Sequence, residues 1–268
     1  MNTYISLTYL DLLGASVFLI LNAVFSFVLK LKLERQLLFS AARMVVQLLM
    51  VGLVLKAVFA ASSPAVTALI AMIMIMFAGR EIWARQERRL TGIWGYGLGA
   101  TSMMFAGTIV TVCALTTQIE PQPWWTPQFA LPLFGMVLGN TMTGVSLGLD
   151  TLHTSLYRER TAIEAQLLLG KTRWEAVLPV ARRALRSGFT PIINAMAATG
   201  VVSLPGMMTG QILSGVDPQE AVKYQILIMF LIGGATGLGV LGAVFASIWR
   251  LTDQRHRIRL DRMTAAST

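Results

Sequence analysis

The chain is poor in what a soluble protein puts on its surface. Of its 268 residues, 22 are Lys or Arg and 13 are Asp or Glu, so charged residues make up 13%. Soluble domains carry about 25%. A single cysteine, Cys113, excludes an intrachain disulfide. The two histidines, His153 and His256, lie far apart in the sequence, and His, Cys, Asp and Glu never group at the spacing of a metal site. Lys and Arg are missing from residues 1–12, where Asp11 is acidic, and Lys30 and Lys32 come only after the first apolar run. A cleaved leader needs its positive charges first, so the N-terminus reads as a retained span. Scarce charge, gathered in clusters between long apolar runs, and a single cysteine together exclude a soluble enzyme, a disordered tail and a disulfide scaffold.

What is present is apolar. Hydrophobic residues make up 55% of the chain, and mean hydropathy is +0.64. A spanning helix needs about 20 mostly apolar residues. Seven segments qualify: 12–29, 41–60, 64–80, 92–117, 129–150, 188–213 and 225–249. The predicted fold class is an all-α membrane protein, a polytopic bundle of about seven transmembrane helices forming one domain over 1–268. Cys113 lies inside an apolar run and is expected to be packed. Proline closes the connection after the fourth segment at Pro121, Pro123 and Pro127, and Trp124 and Trp125 suit the headgroup layer.

The net charge of +9 has a topological explanation. Lys30, Lys32, Arg35 and Arg43 sit around the first connection, and Arg80, Arg85, Arg88 and Arg89 around the third. Arg158, Arg160, Lys171, Arg173, Arg182, Arg183 and Arg186 occupy the fifth, and Arg250, Arg255, Arg257, Arg259 and Arg262 the tail. Only Lys56 and Lys223 fall on the other side. Positive residues stay in the cytoplasm, so the N-terminus is expected outside and the C-terminus inside. Sidedness accounts for the whole charge, and no nucleic-acid partner is required.

The fifth connection, 151–187, is long. Ile163, Leu167, Leu168, Val177, Leu178 and Leu185 recur in it at helical spacing, and Gly170 separates two expected short amphipathic helices. A basic tail follows the last span at 250–268. Gly170-Lys171-Thr172 resembles the end of a phosphate-binding loop, but Ala165 stands where the first glycine belongs; no intrinsic ATP site is expected. Gly144-Val145-Ser146-Leu147-Gly148 has the spacing of a nucleophile elbow. It lies within an apolar span, out of reach of His153 along the same helix, and reads as close helix packing.

Polar residues inside spans point inward. Asn140, Thr143, Ser146 and Asp150 fall on one side of span five, Arg43 and Gln47 share a face of span two, and Asn194, Thr199 and Ser203 recur in span six. Ser203-Leu204-Pro205-Gly206-Met207-Met208-Thr209-Gly210 stands out. A Pro-Gly pair within a span frees carbonyls that lipid cannot satisfy, and broken helices of this kind mark transport sites. Methionines near it offer soft thioether ligands; gap-filling in the core is their other reading.

Gly200-Val201-Val202-Ser203-Leu204-Pro205-Gly206-Met207-Met208-Thr209-Gly210, then Gly215-Val216-Asp217-Pro218 and Ala221-Val222-Lys223-Tyr224-Gln225, closely resembles the signature of the FetB (UPF0014) family. Gly135-Met136-x-x-Gly139-Asn140-x-Met142 and Arg43 with Gln47-Leu48 and Val51-Gly52 are similar as well. The resemblance covers most of the chain in the same motif order. It implies a permease subunit of an ABC transporter in the bacterial inner membrane, linked in bacteria to export of iron or another metal and in plants to aluminium tolerance and nucleotide-sugar transport. It implies a homodimer working with a separate ATPase subunit, which would bind the ATP; the chain itself would carry no cofactor and no catalytic residue. Many such permeases dock on the ATPase through Glu-Ala-Ala-x-x-x-Gly. Here Glu164-Ala165-Gln166-Leu167-Leu168-Leu169-Gly170 keeps the Glu and Gly, with Gln166 in place of the second alanine and Leu178-Pro179 arriving early. The expected coupling residues are Glu164, Ala165, Gly170 and Trp174. The expected substrate path is Met136, Asn140, Met142, Ser203, Pro205, Gly206, Met207 and Met208, with Asp217 at the outer mouth. The other reading of the same composition is an ATP-independent channel or ion-coupled carrier.

Overall fold

The computed structural model describes residues 8–61 and 63–264, and its regular structure over them is helical. The chain forms two compact units: α1 and α2 with Leu213–Gly215 make the first, and Ser63–Ile212 with the chain from Val216 onward make the second.

In the first unit, α1 (Tyr9–Val28) begins at a capping box in which the Thr8 hydroxyl and the Asp11 carboxylate each take up the other's backbone N–H. The turn into α2 (Glu34–Ala61) is held by Ser26, whose buried hydroxyl donates to Glu34 Oε2 at 3.0 Å and accepts from the Leu33 N–H at 3.0 Å. Both helices are long and apolar enough to cross a membrane.

The second unit contains α3 (Pro64–Arg85), α4 (Ile93–Thr117), α5 (Pro127–Arg158), α6 (Arg160–Leu168), α7 (Arg173–Ala198), α8 (Gly206–Leu213) and α9 (Pro218–Leu251). Close contacts set their directions. A Cβ on Gly79 would meet Ala100, and one on Gly95 would meet Trp83, so α3 and α4 are antiparallel. Gly107 faces Phe134 while Gly99 faces Leu149, so α4 and α5 are antiparallel too. Gly144 and Gly148 of α5 lie on the backbone oxygens of Gly188 and Ala184 of α7. Val240 of α9 touches Gly144, Gly148 and Gly188 alike. Thus α3, α5 and α9 run one way and α4 and α7 the other. The small residues of the Gly144–Gly148 motif are where three helices meet, and Ser146 is buried beside them.

Several expectations change. Six helices, α1–α5 and α9, are long and apolar enough to span. The predicted span 188–213 is not one helix. It is the end of α7, a break over 199–205, and the eight-residue α8. The break is a turn: the Ser203 N–H donates to the Ala198 carbonyl, and Gly200, at φ 89°, donates to the Ser203 carbonyl at 2.9 Å. Proline at 205 has no N–H for the helix, and glycine at 200 takes the left-handed conformation that ends it. The fifth connection is almost wholly helical, because α5 continues to Arg158 and α7 starts at Arg173 and runs on into the predicted sixth span. Its second helix is therefore long, not short. Ile163, Leu167, Val177 and Leu185 do face the core, but Leu168 and Leu178 are exposed. Cys113 is exposed on α4 instead of packed.

At the end where α3, α5 and α9 finish, the tail folds back on the bundle. Leu90 pairs with Met263, the Thr91 N–H donates to the Arg262 carbonyl at 2.8 Å, and Thr264 N–H donates to the Arg89 carbonyl at 2.8 Å. Asp253 closes the first turn of the tail by accepting from the backbone N–H groups of Arg255 and Arg257 and from the Arg257 guanidinium. Those bonds, the Arg257 N–H foremost, hold its carboxyl below the ordinary 3.8. A carboxyl lowered on folding contributes above that value and loses its contribution as pH falls through the folded one, so the turn holds throughout the neutral range.

Replacing Gly144 with alanine should destabilise the protein by roughly 1–3 kcal/mol through overpacking. A Cβ there meets Thr236 Cγ2 at 2.7 Å and the Gly188 oxygen at 2.8 Å. Gly139→Ala, where a Cβ meets nothing within 4 Å, should be neutral or slightly stabilising; thermal unfolding in detergent compares the two. Asp253→Asn should loosen the tail, read as faster tryptic cleavage at Arg255 and Arg257 with the transmembrane fragments unchanged.

Candidate functional site

Two regions of the second unit carry the residues singled out from sequence, and α7 joins them. At one end lies the basic surface. α6 lays Ile163 and Leu167 on the core and turns its other side outward. Its Glu164 is held by Arg160 Nε at 2.7 Å, and Ala165 is exposed. The turn to α7 passes through Gly170 at φ 88°, a conformation that costs other residues roughly 1–2 kcal/mol. Leu168 and Leu169, just before it, are 89% and 84% exposed. Lys171-Thr172 does not form a phosphate loop. Thr172 is the N-cap of α7 in a capping box with Glu175, and its backbone N–H holds the Glu175 carboxyl below its usual range.

Trp174 does not join the exposed leucines. It packs back toward Phe245 of α9, ring centroids 6.4 Å apart, and so fixes α7 in place. The Arg173 N–H, a free donor of the first helical turn, donates to His256 Nδ1 of the tail at 3.0 Å. His256 has φ 52°, an uncommon conformation for a residue other than glycine, and this bond helps hold it there. The other histidine serves the same end: His153 contacts Ser247 Oγ at 2.7 Å and the Arg88 carbonyl at 3.1 Å, tying α5 to α9 and to the α3–α4 turn. It is not paired with Ser146. Asp150 accepts from the Glu87 N–H at 2.8 Å, so it too is a link between elements.

The other region is the broken segment. Met136 of α5 and Met207 of α8 pack against the same apolar cluster, which includes Val137, Ile192, Ile228 and Ala235, and Met229 joins them. Met142 instead packs on the larger cluster toward the basic end, so the structure separates it from Met136. Ser203 and Gly206 are exposed, while Pro205 and Met208 are partly buried. The Pro205 carbonyl, freed by the break, is taken up by the Thr209 N–H at 3.0 Å and its hydroxyl at 3.1 Å. Asp217 is the N-cap of α9, its carboxylate accepting from the Gln219 N–H at 2.8 Å; a structural duty already occupies it. Asn140 is exposed on α5 and its amide donates to the Met136 carbonyl at 2.8 Å.

Sequence reasoning passed over two side chains here. The side-chain oxygens of Gln211 and Gln225 are buried and have no hydrogen-bond partner among the described residues. Gln211 stands four residues after Met207 on α8, hence on the same face, and Gln225 stands within a turn of Ile228. The available signal was a glutamine in an otherwise apolar helix, which a membrane bundle keeps only against protein or a polar path. Thioethers and amide oxygens are neutral donors, and a path that carried them would be an uncharged one. It would lower the cost of stripping water from a cation without trapping it as carboxylates would. No group of three or more His, Cys, Asp or Glu that could hold a metal ion occurs among the described residues.

A cavity of about 580 Å³ opens between α3, α4 and α5, walled by Met72, Ile75, Met104, Phe134 and the pair Trp124–Trp125. None of the expected path residues lines it. Its walls suit hydrocarbon, not an ion.

The sequence matches the uncharacterised protein family UPF0014 over residues 9–251. It is 37% identical over 230 residues to the UPF0014 membrane protein slr1647 of Synechocystis, covering 85% of this chain and 86% of that one. It is 30% identical over 229 residues, 85% and 86% of the two chains, to a protein of Escherichia coli named probable iron export permease protein FetB. The Arabidopsis thaliana protein ALUMINUM SENSITIVE 3 is 31% identical over 225 residues, 83% of this chain and 80% of that one. No solved structure matches. With the family matched from the first spanning helix to the last, and the broken segment and its methionines inside the match, the chain belongs to the UPF0014 family of membrane proteins.

Proposed function

We propose that this chain is the permease subunit of an ABC transporter that exports a metal ion, iron being the cargo named for its Escherichia coli relative, and that a separate ATPase subunit drives it. One observation carries the reading: the pair Leu168–Leu169, almost fully exposed at the basic end where α6 turns into α7. α6 has nine residues, far fewer than a span needs, so lipid does not account for apolar residues there. Exposed leucines framed by charges mark a protein contact. An ATPase subunit seated on them, with Glu164, Ala165 and Gly170 around the contact, would push on α7 directly.

In this reading the end bearing Arg88, Arg89, Arg158, Arg173 and Arg250 is cytoplasmic, in keeping with the retention of positive charge. α7 then serves as the seventh crossing. Its 26 residues reach about 39 Å, although its first half is too polar to qualify by composition. The N-terminus lies outside, and the membrane is the bacterial plasma membrane.

Asn140 and Asn194 support a homodimer. Both are exposed on faces of α5 and α7 at depths where lipid would be costly for a polar group. A second copy against this face would cover them and enclose a path past Met136, Met207, Gln211 and Gln225. The neutral sulfur and oxygen donors along it suit a soft or borderline metal ion in transit.

Gly170→Val should leave the chain inserted and assembled but uncouple it: ATP hydrolysis by the complex continues while metal efflux from vesicles falls at least about tenfold, because the turn that carries motion into α7 is lost. Purification of the chain from native membranes in mild detergent should bring an ATPase with Walker motifs in equal amount, its hydrolysis stimulated by the transported metal. A chain that comes out alone and moves metal without ATP would replace this reading with an ion-coupled carrier.

A further inference from the structure

A small cavity of about 230 Å³ lies where α9 ends, lined by Arg173, Trp249, Arg250, Asp253, Gln254 and Arg262. Three arginines, each partly buried, converge on it from three elements: the start of α7, the end of α9 and the tail. Among the described residues none of the three forms an ion pair with a carboxylate. Asp253, the carboxylate in the wall, is engaged by Arg257 at 2.8 Å and by the two backbone N–H groups of its own turn. The guanidinium of Arg250 rests over Trp94 at 4.9 Å, and that of Arg173 over Trp174 at 5.7 Å; Arg262 spends one N–H on the Arg250 carbonyl at 2.7 Å. Stacking of this kind holds the planar forks in place while leaving their other donors open.

Three like charges, partly buried and outnumbering the one carboxylate in the wall, are costly unless an anion joins them. The surroundings say which anion. Trp249 belongs both to the cavity wall and to an exposed apolar stripe on α9, with Phe245, Leu241 and Leu238 following at helical spacing on the same face. A phosphate in the cavity therefore has a hydrocarbon track leading away from it along the spanning helix. Tryptophans at 94, 174 and 249 lie around it, as residues of the headgroup layer do. We infer that this cavity binds the phosphate-bearing headgroup of an anionic membrane lipid, whose acyl chain lies along Phe245, Leu241 and Leu238 of α9. Its position gives it a task. The lipid would bridge the ends of α7 and α9 and the tail, and so steady the helix that starts just after Gly170. The inference rests on the membrane boundary at the end of α9 and not on the ATPase partner.

The test uses the full chain purified in mild detergent, titrated with short-chain phosphatidylglycerol, with phosphatidylcholine of equal chain length and with inorganic phosphate, thermal unfolding being the readout. Phosphatidylglycerol should raise the midpoint saturably, and phosphatidylcholine and inorganic phosphate should not. Arg173→Gln and Arg250→Gln, each first checked for an unchanged midpoint without lipid, should weaken the apparent affinity about fivefold apiece. Arg182→Gln removes the same charge from an exposed site on α7 outside the cavity and should bind as the unaltered chain does. Equal weakening by Arg182→Gln would overturn the site in favour of diffuse surface charge. A matching saturable shift from inorganic phosphate would overturn the lipid assignment. Unchanged binding in both Arg173→Gln and Arg250→Gln would overturn the proposal as a whole.

Discussion

The second unit depends on one place where α5 and α7 meet backbone to backbone and side chains of α9 close over them. Gly144 on α5 and Gly188 on α7 each lie within 3 Å of where the other's side chain would begin, and Val240 of α9 closes the gap. Lipid offers no hydrophobic drive to bring helices together, so close van der Waals approach of small residues has to supply it. α7 is the helix that most needs this anchor. Its stretch from Arg173 to Arg186, with Arg182 and Arg183 between them, is too polar to be held by the membrane alone. Its last turn leads straight into an unwound segment. The contact at Gly188 sets how closely α7 approaches α5 and α9 midway between the basic end and the break.

The same seam carries its own tension. The hydroxyls of Thr141 and Thr236 are buried beside it with no hydrogen-bond partner among the described residues, while their methyl groups fill the space that Gly239 and Gly144 leave. Threonine is used here for its shape. An unmade hydrogen bond costs of order 1–3 kcal/mol, which the close packing of α5 on α9 has to offset.

Much of this was legible from the residues. Long apolar runs, with arginine clusters at alternate connections, mark six of the helices, and Pro205-Gly206 marks the break, because each reflects a rule that tertiary context seldom overrides. The Gly-x-Ser-x-Gly motif was legible as packing for the same reason. What the sequence hid was register. Where α7 ends turns on Gly200 adopting a positive φ, which no spacing announces. Leu168 and Leu178 match the helical period as well as Leu167 does, yet face outward, since periodicity says which residues share a face and not what covers it. Asp217 and Asp150 look like polar residues free for a substrate, but each is occupied in fixing a turn. Gln211 and Gln225 matter through burial, and burial is invisible until the helices are placed.

The length of α7 has a mechanical meaning. Treated as a stiff rod turning about Gly188, it has a long arm of ~22 Å toward Arg173 and a short arm of ~15 Å toward Ala198. A sideways displacement applied at the Gly170 end therefore arrives at the break reduced by about a third, and reversed in direction. A lever of this shape would trade amplitude for force at the end that leads into the turn at 199–205.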